Sequence, residues 1–300
     1  MASVKTWFEA FRLRTLPLAF SCIFMGGFLA MSAGVFDGVI LGLSLLTTLF
    51  LQVLSNLAND YGDSVSGVDH AERQGPSRSV QAGKISLLSM KRALIICAIL
   101  SFLSGLLLLF VAFRDTWLYA LIFLLIGLGA IWAAIKYTVG KTPYGYQGLG
   151  DFFVLVFFGL IGVCGSYFLY SLAFDWMTVL PAISCGLFAV GVLNVNNIRD
   201  IESDKTAGKH SIPVRIGRDN ARLYHLALIA IGWVCMLVYT NLSWSGQWLH
   251  LLYGLSLPLF LINVKAVFTK EEPKQLDPFL KQLAISTLLF VLLFGAGQLI

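Results

Sequence analysis

Two stretches of this chain gather oxygen-bearing side chains at helical spacing. In NLANDYGDSVSGVDHAERQGPSRS, residues 56–79, Asn56, Asn59 or Asp60, and Asp63 recur at i, i+3 or i+4, and i+7, with Asp69 and Glu72 behind them. If a helix runs through these positions, they project from one face. In NVNNIRDIESDKTAGKHSIPVRIG, residues 194–217, Asn197, Asp200 and Asp204 repeat the spacing, and Glu202 lies among them. The two stretches hold seven of the sixteen acids of the chain. Facing each other in a partly dehydrated cavity, such groups repel and are costly to keep ionised, so something cationic must join them. Oxygen ligands without histidine or thiolate suit Mg²⁺, a metal that commonly arrives with substrate phosphates. Arg73, Arg78, Lys84, Arg199, Lys209 and Arg215 flank the acids and are suited to phosphate oxygens that a metal leaves uncovered. The combination implies a site for a lipid diphosphate held by Mg²⁺.

The elements that position these residues follow from composition. Charged residues are 12% and apolar residues 58% of the 300, far from the balance of a soluble chain. Apolar runs of membrane-spanning length occur at about 16–35, 39–58, 92–113, 117–136, 152–172, 176–197, 222–241, 248–268 and 279–300, a length that suits helices. They lack the alternation of barrel strands, and only helices and closed barrels satisfy their backbone in lipid. The expected fold is therefore all-α: a polytopic bundle of nine transmembrane helices. The two acid clusters sit four spans apart on the same face, which implies one domain over 1–300 with a weak internal repeat, helices 1–4 and 5–8, followed by helix 9.

Of the 21 lysines and arginines, all but Arg114 fall on the face that carries the N-terminus. By the positive-inside rule that face is cytoplasmic. This accounts for the net charge of +5 without a nucleic-acid partner, and it is also the plain alternative reading of the basic residues near the acids. Trp117, Trp176, Trp244 and Trp248 mark the opposite ends of the spans, where an aromatic belt is expected. The opening MASVKTWFEAFRLRTLPLAF has no small-residue cleavage site and reads as retained, not as a signal peptide. Its Val4, Trp7, Phe8 and Phe11 share one helical face, as in an interfacial helix. Cys22, Cys97, Cys164, Cys185 and Cys235 are scattered singly with no CxxC and read as packing residues. The four histidines form no ligand set.

A third segment, KYTVGKTPYGYQGLGDFFVLVFFG from Lys136, joins two spans. Its glycines and Tyr144 and Tyr146 form a flexible loop able to approach a flat aromatic ring, with Tyr137 and Lys141 in reach of diphosphate or acceptor. No strand precedes it, which excludes a dinucleotide fingerprint.

NDYGD with Asp69 behind it, and NNIRDIESD in the later loop, resemble the two aspartate-rich motifs of the UbiA superfamily of intramembrane prenyltransferases. Nearly the whole chain takes part, including GKHSIPVRIG after the second motif. The resemblance implies a helical bundle around a cavity open to the cytoplasmic side and to lipid. It implies two Mg²⁺ ions bridging a prenyl diphosphate, and transfer of the prenyl group to an aromatic acceptor. Asn59 and Asp63 match the metal-binding start of the first motif, Asp200 and Asp204 the second, with Asp60 and Asn197 beside them. Asp69 departs from the pattern, following Asp63 after six residues where many members have four. That departure, the PYGYQGLGD segment and WFEAFRLRTLPLA are similar to the 1,4-dihydroxy-2-naphthoate polyprenyltransferases of menaquinone synthesis. The expected catalytic residues are Asp63, Asp200, Lys141 and Tyr137; Arg73, Arg78, Lys84, Arg199 and Lys209 would hold diphosphate, and Tyr144 and Tyr146 the aromatic acid.

Diphosphate held by metal and basic groups departs more readily, leaving an allylic cation shielded by aromatic faces. By the resemblance, the naphthoate ring attacks, loses its carboxylate as CO₂ and gives demethylmenaquinone at a bacterial plasma membrane. Two other readings stand beside this one. A UbiA-type enzyme with another acceptor, such as 4-hydroxybenzoate, shares every motif. A secondary transporter also has repeats and polar residues at broken helices, but its ionisable groups belong near mid-membrane.

Overall fold

The computed structural model describes residues 2–66 and 78–299; Asp69, Glu72 and Arg73 fall outside the described residues. Among the described residues there are helices and no strands. A short α1 (Val4–Phe11) begins at Ser3, whose side chain accepts from the Thr6 amide, and stops at Arg12, which turns into the left-handed region at φ 49°. Trp7 and Phe11 pack against a buried cluster that includes Val53, Leu54 and Leu57, whereas Val4 and Phe8 stay exposed. This divided apolar face is what an interfacial helix presents to lipid headgroups.

The spans follow as α2 (Leu16–Ser32), α3 (Gly38–Val65), α4 (Leu87–Ala112), α5 (Trp117–Lys136), α6 (Gly150–Ser171), α7 (Trp176–Arg199), α8 (Arg218–Leu242), α9 (Trp248–Thr269) and α10 (Pro273–Leu299). The chain is an integral membrane protein, and nine spans are found among the described residues. Asp37 starts α3 by accepting from the amides of Val39 and Ile40, at 2.7 and 3.3 Å, as an N-cap does. α3 then runs seven residues beyond its expected apolar end, through Asp63 to Val65. Within α6 the stretch Leu155–Gly165 winds as a π-helix, a wider turn often found where a helix lines a functional site.

Lipid supplies no hydrophobic drive between helices, so packing and interhelical hydrogen bonds must hold the bundle. Phe188 of α7 is fully buried, with ring centroids 4.6 Å from Phe260 and 5.3 Å from Phe290. Nearer the end of the bundle that carries the acid clusters, Asn263 of α9 meets His225 Nε2 of α8 at 3.0 Å and donates to the Phe279 carbonyl and Gln282 Oε1 of α10, at 2.9 and 2.6 Å. One buried amide thus ties three helices together. On the other side, α3 lies directly on the turn after α5: a Cβ at Gly62 would come within 2.6 Å of the Thr138 carbonyl oxygen. Only glycine permits that approach, and it brings Asp63 over the tyrosine loop.

Candidate functional site

The last turns of α3 carry the first acid cluster, and its members do not all face one way. Asp63, 1% exposed, receives the Tyr146 hydroxyl on Oδ1 and the Arg78 guanidinium on Oδ2. Arg78 also donates to the Asn59 carbonyl. Asp60 turns aside, with Oδ2 accepting the Ser79 amide at 3.2 Å, and so anchors the chain where it returns after residue 77. Asn56 turns toward α1, donating to the Phe11 carbonyl and to Thr15 Oγ1.

α7 ends at Arg199, so the second cluster straddles a break: Asp200 caps α7, and Asp204 sits in the short helix Ile201–Thr206. Arg199 was expected on diphosphate; in the structure it bonds neighbouring side chains and is not part of the chamber lining. It is 3% exposed and spends Nε and Nη2 on the two Asp200 oxygens at 2.9 and 2.7 Å, Nη1 on Asp277 at 2.7 Å, and Nη2 again on Asn196 at 2.9 Å. With every nitrogen engaged, it stands behind Asp200 and orients it.

The expected joining cation has a counterpart in Lys209. Its Nζ lies 3.2 Å from Asp204 Oδ1 and 3.9 Å from Asp63 Oδ2, and 4.9 Å from the centre of the Tyr146 ring. Burial raises the Asp204 carboxyl above the usual range, opposed by Lys209 and reinforced by Asp200. The tyrosine loop closes on this segment through the His210 amide, which donates to the Tyr146 carbonyl at 2.7 Å. Gly148, at φ 77°, lets the loop turn there without a side chain.

Asn59, Asp63, Arg78, Tyr146, Asn197, Asp200, Asp204 and Lys209 therefore line one polar chamber of about 260 Å³. An apolar cavity of about 400 Å³ runs on from it between α2, α3, α4, α5 and α6. Gln52, Asn59, Tyr137, Val154, Phe158 and Leu193 line both and form a neck between them. The amides and carboxylates of the chamber all offer oxygen ligands, and among the described residues neither histidine nor cysteine lines it. That donor set fits a hard divalent cation such as Mg²⁺.

The tyrosines divide. Tyr144 lines only the apolar cavity; its ring stacks on Phe153 at 4.0 Å and its hydroxyl donates to the Ala133 carbonyl at 2.8 Å. Tyr146 belongs to the carboxylate chamber, and burial followed by the charge of Asp63 raises its phenol, keeping the donating proton in place. Tyr137 alone stands at the neck, with its phenol raised by burial first and the charge of Asp151 next. No described residue takes its hydroxyl. Two expected basic residues are not brought in: Lys84 is an exposed partner of Glu9 at 3.3 Å, and Lys141 is exposed on the loop, outside both linings. A lysine at the surface keeps its hydration, which is why neither turns inward. Arg12, Arg14 and Lys281 do line the chamber, although they read in sequence only as topological charge. Their one signal was position, beside the ends of the first and last spans.

Residues 19–294 match the UbiA prenyltransferase family. The chain is 45% identical to the 1,4-dihydroxy-2-naphthoate octaprenyltransferase of Haemophilus influenzae, over 99% of this chain and 96% of that protein. It is 44% identical to the protein of the same name from Escherichia coli, with the same coverage. In structure it is similar to the apo form of a UbiA homolog from Aeropyrum pernix K1, with TM-score 0.67, 18% identity and coverage of 99% of this chain and 98% of that one. A UbiA homolog from Archaeoglobus fulgidus bound to GPP and Mg²⁺ superposes with TM-score 0.65 and 18% identity, over 96% and 99% of the two chains. With a matching fold, near-complete coverage by relatives and both aspartate motifs gathered on one chamber, the chain belongs to the UbiA prenyltransferase family.

Proposed function

We propose that the protein transfers a polyprenyl group from polyprenyl diphosphate to 1,4-dihydroxy-2-naphthoate, with release of CO₂ and diphosphate. The observation that carries this reading is the neck: an oxygen-lined polar chamber opens through it into a long apolar cavity. A diphosphate suits the first and an isoprenoid tail the second, so the bond to be broken falls where they meet. The names of the near-full-length relatives support naphthoate as acceptor.

Asn59, Asp63, Asn197, Asp200 and Asp204 would hold the metal, as two Mg²⁺ ions. Bound there, Mg²⁺ neutralises charge developing on the leaving diphosphate. Arg78 and Lys209, which neutralise Asp63 and Asp204 in this structure, can then donate to phosphate oxygens as well. Tyr146 and Arg199 keep Asp63 and Asp200 in place. The apolar walls beyond the neck exclude water from the allylic cation, and the ring faces of Tyr137 and Phe158 can stabilise it.

The C–O bond to diphosphate breaks, and the ring carbon bearing the carboxylate forms the new C–C bond. The C–CO₂ bond then breaks, and its electron pair restores the aromatic ring. No oxidant takes part, so the direct product is the hydroquinone, and demethylmenaquinone follows by a later two-electron oxidation. The charge bias of the loops supports a chamber facing the cytoplasm of a bacterial plasma membrane. The reading is tested by incubating membranes containing the protein with one polyprenyl diphosphate and a panel of aromatic acids, products read by mass; prenylation of 4-hydroxybenzoate alone would replace the acceptor.

A further inference from the structure

The neck between the two chambers has a feature that neither the diphosphate nor the isoprenoid uses. Gln52 and Asn56, one turn apart on α3, both direct their amide nitrogens at Thr15 Oγ1, at 3.0 and 3.1 Å. Thr15 has a single hydroxyl proton, and it is given to the Arg12 carbonyl at 3.0 Å. Its oxygen can therefore only accept from the two amides. Asn56 is fixed a second time, because its nitrogen also donates to the Phe11 carbonyl at 2.9 Å, and a carbonyl cannot donate. Both amides are thus locked with nitrogen toward the α1–α2 turn, leaving their oxygens for the cavity side. Both residues line the apolar cavity, and Gln52 lines the polar chamber as well. No described residue donates to Gln52 Oε1 or Asn56 Oδ1.

Two acceptor-only oxygens at the edge of an apolar cavity call for a ligand that brings O–H or N–H groups. A prenyl diphosphate brings none: its tail is hydrocarbon and its head accepts. An aromatic ring carrying hydroxyls brings the required donors, and its flat body suits the apolar surround. The geometry points to Gln52 and Asn56 as the hydroxyl-reading residues for the aromatic acceptor, with Thr15 as the positioning residue that sets their polarity. This rests on the proposed prenyl transfer to a dihydroxynaphthoate and adds how that acceptor is oriented: a hydroxyl on the amide oxygens holds the ring at the neck, beside the point where the prenyl carbon arrives. The same oxygens disfavour ethers and other acceptor-only rings, which would leave them unpaired.

The test compares 1,4-dihydroxy-2-naphthoate with its analogues lacking one hydroxyl, 1-hydroxy-2-naphthoate and 4-hydroxy-2-naphthoate, as competitive ligands of the protein in its membrane. A net hydrogen bond makes a difference of about twofold to tenfold. The wild type is expected to bind one monohydroxy analogue less tightly by about that factor. Gln52→Leu or Asn56→Leu should raise the KM for the dihydroxy acid similarly while leaving the Ki of that same analogue unchanged, since its missing hydroxyl has nothing to lose. Thr15→Val should weaken the dihydroxy acid too, and Thr15→Ser, which keeps the hydroxyl, should restore it; the KM for polyprenyl diphosphate stays within about twofold throughout. Should leucine at either position prevent folding, the Thr15 pair carries the same comparison. Equal losses for the dihydroxy acid and both analogues, or unchanged binding in all variants, would overturn the inference. A wild type that prenylates no naphthoate at all would instead sink the functional reading on which it rests.

Discussion

The Tyr146 hydroxyl donates to the Asp63 carboxylate, so a residue of the loop between α5 and α6 is part of the acid cluster at the end of α3. Tyr146 thereby stands with the carboxylates proposed to hold the diphosphate, while Tyr144, two residues earlier, faces the apolar cavity. Tyr146→Phe keeps the ring beside Lys209 and removes only the bond to Asp63. A hydrogen bond to a charged group contributes about 1.5 to 3 kcal/mol, so kcat/KM for polyprenyl diphosphate should fall roughly tenfold to a hundredfold. Steady-state kinetics in both substrates check this; a rise confined to the naphthoate KM would return Tyr146 to the acceptor.

Arg199 grips Asp200, Asn196 and Asp277 at once. A lysine ammonium cannot reproduce that planar fork. Arg199→Lys should lose at least about tenfold in kcat while the protein still inserts and folds, by the loss of one or more charge-assisted bonds. Wild-type kinetics in the lysine variant, with normal expression, would leave Arg199 a topological charge.

Lys84 and Glu9 form an exposed pair, and such pairs contribute about 0 to 1 kcal/mol. Lys84→Ala should therefore keep activity within about twofold, whereas Arg78→Ala, which uncovers the buried Asp63, should abolish it. Comparable losses in both would bring Lys84 back into the site.

Gly62→Ala pushes a methyl group into the Thr138 carbonyl. Overpacking of this kind costs about 1 to 3 kcal/mol, and because the displaced turn leads to Tyr146, activity should fall together with the thermal midpoint. Unchanged activity and midpoint would mean that α3 and the turn are not held this closely.

Much of this arrangement was legible in the residues themselves. Long apolar runs permit few structures in lipid, and the helix that was supposed to run on through Asp63 is found as the last turns of α3. What spacing does not carry is direction. Asp60 and Asp63 are three residues apart, yet one anchors Ser79 and the other faces the chamber, a choice made by where the chain returns after residue 77. Arg199 and Arg78 read alike in sequence; only the end of α7 and the approach of Asp277 on α10 separate a positioning residue from one that faces the site. The neck was illegible for the same reason: Thr15 and Gln52 are 37 residues apart, and nothing local marks their meeting.

Burial raises the Asp204 carboxyl, so the folded protein holds that proton more tightly than an exposed aspartate does. A cation binds the ionised form, and ionisation is lost as pH falls through the raised value. The apparent Mg²⁺ affinity should therefore weaken toward acid pH, and Asp204→Asn should weaken it at every pH while flattening the dependence. Titrations of Mg²⁺ at several pH values check both; an affinity that strengthens toward acid contradicts the assignment.

The central claim is prenyl transfer with loss of the ring carboxylate at the Asp63 and Asp200 chamber. Its most direct measurement supplies membranes carrying the protein with polyprenyl diphosphate, Mg²⁺ and carboxyl-labelled 1,4-dihydroxy-2-naphthoate, following labelled CO₂ and prenylated naphthohydroquinone together. The account predicts one CO₂ for each prenylated ring, no turnover in EDTA, and none with Asp63→Ala or Asp200→Ala. Full activity in EDTA or in either variant, or a prenylated ring that keeps its carboxylate, would contradict it.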